Sequence, residues 1–69
     1  MSIASAVWAA HPDALLEVGL ESGNFLRGNL VENPHDDYFV FQVIESINGQ
    51  RDVLYIANSG ASYIRVLGA

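Results

Sequence analysis

The chain has 69 residues, 51% of them hydrophobic, with no cysteine and a formal net charge of −5. This length allows one small domain, and the missing thiols exclude a disulfide framework, thiol catalysis and cysteine-ligated zinc. Three basic residues, all arginine, stand against eight acidic ones; that balance argues against tight nonspecific binding to a polyanion and against docking on an anionic membrane.

Size and apolar content pull in opposite directions. A domain this short buries only roughly 60% of its unfolded surface, which leaves too little interior for so many apolar side chains. Self-association is the expected outlet. The absence of cysteine also fits a reducing, cytoplasmic setting.

In chain order, the opening Met1–Ala10 stretch is apolar and small-residue-rich. It lacks a positively charged start and is too short to span a bilayer, so no membrane segment is expected. It reads as a short amphipathic helix over about residues 2–10, with Ser2 as N-cap and Ile3, Val7 and Trp8 on one face. His11-Pro12 ends it, and the helix is expected across one open end of a sheet.

From Ala14 the period changes to two. Leu16, Val18 and Leu20 alternate with Glu17, Gly19 and Glu21, a half-buried strand with its carboxylates facing water. Ser22-Gly23-Asn24 makes a turn in which Gly23 takes positive φ. Residues 25–32 form a second strand, where Gly28 marks a bulge, a bend or a close backbone approach. Asn33-Pro34-His35-Asp36 is a loop. Residues 38–47 are long, aromatic and β-branched, the strongest strand signal of the chain. Asn48-Gly49 is a hairpin turn leading into a strand over 52–57, and Asn58-Ser59-Gly60 a tight turn before a last strand, 61–67. The fold class expected is mainly β: a short N-terminal helix followed by a strongly bent five-stranded antiparallel small barrel over about residues 14–67.

The order and spacing of these elements resemble the Sm-like (LSm/Hfq) proteins. Leu20, Gly23, Gly28 and Leu30 fall at the spacing of that family's first motif, and Asp36-Asp37-Tyr38 is similar to its Asp-x-aromatic element. Ile56 to Ile64 has the length and hydrophobic ends of the second motif, and the resemblance covers residues 15–66. The Arg-Gly pair of the second motif is replaced here by Ala57-Asn58, Val40 stands where an asparagine commonly follows the aromatic, and the loop before Asp36 is longer than usual.

The resemblance implies a single Sm-like domain, in an SH3-like small barrel, that closes into a cyclic homo-oligomer of about five to seven copies. Pairing the fourth strand of one copy with the fifth of the next would satisfy both open edges, with Tyr55, Ile56, Tyr63 and Ile64 at the interface. It further implies that Asp36, Tyr38 and Asn58 face a pore and hold short, uridine- or adenine-rich single-stranded RNA, with Tyr38 stacking on a base. Asp36 would orient its loop by accepting backbone N–H bonds. The alternative is a structural or adaptor ring that keeps the assembly, has lost RNA affinity and binds protein partners. Tyr38 as an edge of the core, and Asp36 and Asp37 as a solvated loop, are the plain structural readings.

Catalytic signatures are missing: there is no nucleophile elbow, P-loop, His-Glu-x-x-His or Cys-His pattern, so no enzyme is expected and no cofactor is implied. His35 beside two aspartates is a poor metal set, because adjacent residues rarely converge on one ion. Arg27, Arg51 and Arg65 are the only strong phosphate donors, and Arg65 is expected to pair with a neighbour's carboxylate rather than with RNA.

Overall fold

A computed structural model describes residues 2–45 and 52–68 of the chain. One helix, α1 (Ile3–Ala10), precedes five strands: β1 (Leu15–Leu20), β2 (Phe25–Leu30), β3 (Tyr38–Glu45), β4 (Val53–Ala57) and β5 (Ala61–Gly68). A 3-10 turn, Asn58–Gly60, links the last two strands. All neighbouring strands pair antiparallel, in one sheet of order β4-β3-β2-β1-β5. The protein is mainly β, with the short helix and five-stranded antiparallel sheet that the periodicity predicts. The Asn48-Gly49 hairpin and Arg51 lie outside the described residues.

The connection between β4 and β5 requires the sheet to curl. These strands are the two edges, and in a flat five-stranded sheet they would lie roughly 19 Å apart at the usual strand spacing. Yet Ala57 and Ala61 are joined by only the Asn58–Gly60 turn, whose full extension is about 14 Å. The edges must therefore approach each other at this corner, giving a small barrel-like sheet. A main-chain bond from Glu21 N to the Gly60 carbonyl (3.1 Å) secures the corner to the end of β1.

The bend has a local cause in the sequence. The β2–β3 register shifts between Arg27 and Gly28, and a Cβ on Gly28 would lie 1.8 Å from the Gln42 carbonyl oxygen. Only glycine permits that approach. Gly23, in the β1–β2 turn, has φ +96°, as its turn position demands.

Alternation sends Leu16, Val18, Leu30, Phe39, Phe41 and Val43 inward, where all are buried. Phe39 and Phe41 meet edge to face, with ring centroids 6.4 Å apart. Helix α1 covers this core and touches β5. Ser2 caps it, its Oγ accepting the Ser5 N–H at 3.1 Å. The helix face differs from expectation by one position: Ala4 is buried and Val7 and Trp8 pack on the core, whereas Ile3 is 48% exposed. Ala4, Val7 and Trp8 make the i, i+3, i+4 stripe, and Ile3 falls just outside it. Among the described residues no helix is long and apolar enough to cross a membrane.

Glu17 requires a second correction. Expected to face water, it is only 6% exposed, because side chains from both neighbouring strands close over it.

Candidate functional site

The loop before β3 and the turn after β4 meet at one corner of the sheet. Tyr38 opens β3 opposite Ala57, the last residue of β4, which brings Asn58 against the 35–37 loop. The Asn58 amide donates its main-chain N–H to the Asp37 carbonyl at 2.9 Å. Its side-chain Nδ2 donates to the carbonyls of Asp36 (2.8 Å) and His35 (3.1 Å). Asp36, Tyr38 and Asn58, separated by some twenty residues of sequence, thus share one corner. The tie at Asp36 runs through its main-chain carbonyl and not, as expected, through its carboxylate. Asn58 Oδ1 is buried without a hydrogen-bond partner, a cost the two Nδ2 bonds must offset.

Three rings gather there. Phe39 turns into the core, so Tyr38 turns to the other face, where it is half-buried. His35 stacks on it, with centroids 4.5 Å apart and planes 19° apart. Tyr55, from the adjacent strand, lies 5.8 Å from Tyr38 at a tilt of 32° and is 74% exposed. His35 Nε2 lies 2.6 Å from Glu32 Oε2, so this imidazole turns to Glu32 and not to the adjacent aspartates. Its own main-chain N–H donates to the Tyr38 carbonyl at 2.9 Å. The result is an exposed aromatic ledge bordered by Glu32, Asp36 and Asp37, a surface suited chemically to stacking flat rings.

The candidate interface residues divide into two kinds. Tyr55 on β4 and Tyr63 on β5 are exposed on the two sheet edges, while Ile56 and Ile64 are half-buried and pack against the core. The apolar surface at the edges comes instead from Val53, Tyr55, Tyr63, Val66 and Leu67.

A different cluster occupies the β1–β2–β5 half of the outer face. The Glu17 carboxylate accepts from Arg27 Nε at 3.2 Å and from the Tyr63 hydroxyl at 2.8 Å, and Arg65 Nη1 lies 3.8 Å away. Arg65 therefore finds its carboxylate within the chain, directly opposite on the adjacent strand β1. The Tyr63 hydrogen bond, helped by the two guanidinium groups, holds the Glu17 carboxyl below its ordinary range against the opposing effect of burial. The same bond raises the Tyr63 hydroxyl above its ordinary value. The Tyr63 ring lies directly over Gly19, where a Cβ would come within 1.9 Å of it. Arg27 also sits 5.2 Å over the Phe25 ring, a cation–π contact.

Sequence reasoning missed the roles of Glu17, Gly19, Glu32 and His35, and placed Tyr55 only at an interface. One of these had a signal: a hairpin centred on Ser22 sets Arg27 opposite Glu17, as observed. The His35–Tyr38 stack had no comparable signal, since it depends on how the Pro34 loop folds back. Compared with known proteins, the chain matches no family model, no curated protein and no solved structure.

Proposed function

We propose that this chain is a Sm-like ring-forming protein in which copies join β4 to β5 edge to edge, and that the aromatic corner of each copy stacks bases of single-stranded RNA. The observation that carries the assembly is that β4 and β5 form the two outer edges of the sheet and carry exposed Val53, Tyr55, Tyr63, Val66 and Leu67. Unpaired strand edges with apolar side chains seek a partner, and a head-to-tail contact closes into a ring if its rotation divides a circle. The RNA reading is supported by the meeting of Asp36, Tyr38 and Asn58 beside two further rings.

The adaptor ring is the second reading, favoured by charge. Arg27 and Arg65 converge on Glu17, away from Tyr38, and each copy adds a net charge of −5, which repels phosphates.

Sedimentation equilibrium at micromolar concentration tests the assembly. A mass of several copies, reduced to the monomer by Val53→Asp on the β4 edge, is the expected result. A monomer mass for the unaltered protein contradicts it. The RNA reading is tested by titrating labelled uridine-rich and adenine-rich oligonucleotides at low salt, where phosphate contacts are strongest.

A further inference from the structure

Tyr38 has a ring on one of its faces before any ligand arrives. His35 lies nearly parallel to it at 4.5 Å, the offset-stacked spacing favoured by aromatic pairs and the one a nucleobase would adopt. Resting on the proposed RNA-binding reading, we infer that His35 is a built-in occupant of the base-stacking position, and that a base must displace it to reach that face of Tyr38.

The loop is built to hold the imidazole there while leaving it able to leave. Its backbone is fixed from two directions: the His35 N–H donates to the Tyr38 carbonyl, and the His35 carbonyl accepts from Asn58 Nδ2. Among the described residues, the ring itself is held by the stack and by Glu32, 2.6 Å from Nε2, and both side chains are about half exposed. Rotation about χ1 would therefore release the ring to solvent without opening the core or breaking either main-chain bond. Glu32 serves as the latch: it draws the far edge of the imidazole toward the loop and keeps the ring planes aligned.

This arrangement makes a prediction opposite in sign to simple electrostatics. Removing an imidazole removes a potential cation, which by charge alone weakens RNA binding. Removing an internal competitor strengthens it. His35→Ala is expected to tighten binding of a labelled oligouridylate by roughly threefold to tenfold, the equivalent of one lost aromatic stack, and Glu32→Ala to tighten it in the same direction. In the free protein, proton NMR should show the His35 ring protons shifted upfield by the Tyr38 ring, and the shift should vanish in Tyr38→Leu and on adding oligouridylate.

The outcomes separate cleanly. If the unaltered protein binds and His35→Ala binds equally or more weakly, the gating role is overturned and RNA binding stands. If neither binds at low salt, both fail together. If only His35→Ala binds, the gate is supported in its strongest form. Ring protons at ordinary positions in the free protein overturn the stack itself, whatever the affinities.

Discussion

The two halves of the outer sheet face use aromatic and charged residues to opposite ends. In the β1–β2–β5 half, one carboxylate, Glu17, is buried under Arg27, Arg65 and Tyr63, whose polar groups all turn to it. In the β3–β4 half, Tyr38, Tyr55 and His35 lie at the surface among Glu32, Asp36 and Asp37, with no arginine among their described contacts. The first cluster joins three strands and leaves little for a ligand. The second holds a loop in place through main-chain bonds and leaves its rings accessible. A cluster whose polar groups are satisfied within the fold stabilises it; a cluster of exposed rings on a fixed backbone is where a ligand can act.

The largest effect is expected where the halves join. Gly28→Ala would drive a Cβ into the Gln42 carbonyl, and because backbone cannot yield as a side chain can, the loss should reach about 3 kcal/mol or more. Denaturant unfolding measures it; near-normal stability would remove the bulge as the source of the curl.

Tyr38→Ala should weaken oligonucleotide binding by roughly fivefold to a hundredfold, the range for one stacked base, while leaving the far-UV spectrum intact. Equal affinity in this variant would place the ligand elsewhere.

The Glu17 half should reveal itself through pH. A carboxyl held below its ordinary range contributes stability that is fully present above the unfolded-state value, about 4.3, and is lost as pH falls through the lower folded-state value. Thermal melts should therefore fall in acid, and Glu17→Gln should lower Tm near neutrality while flattening that acid limb. At the alkaline end the sign reverses for Tyr63, whose raised hydroxyl contributes stability that is lost as pH rises through its folded-state value. An acid limb unchanged in Glu17→Gln would assign it to other carboxylates.

Asn58→Ala should have the smallest effect, about 1 kcal/mol. It deletes two exposed-side hydrogen bonds to the 35–36 carbonyls but also removes the partnerless Oδ1. His35 ring-proton shifts should relax in this variant if Asn58 fixes the loop.

Much of the fold was legible because it rests on local rules. Period-two alternation located the strands, Gly23 and Gly28 marked the turn and the bulge, and Ser2 announced the helix start. The meeting of Asp36, Tyr38 and Asn58 followed only from the spacing of the Sm-like pattern. What the sequence hid depends on side chains from strands distant in sequence: Tyr63 reaches across Gly19 to a carboxylate, and alternation alone counts Glu17 as solvated. Ile3 was misplaced for a simpler reason, since a helix of eight residues offers several stripes that a short window does not distinguish.

The contrast between the halves is tested most directly by one titration. Fluorescence anisotropy of a labelled oligouridylate at low salt would compare the unaltered protein with Tyr38→Ala and with Tyr63→Phe, which breaks the bond to Glu17 but keeps the ring. Binding by the unaltered protein and by Tyr63→Phe, with loss in Tyr38→Ala, is the predicted result. No binding by the unaltered protein, or equal binding by Tyr38→Ala, would contradict the assignment of the aromatic corner as the site.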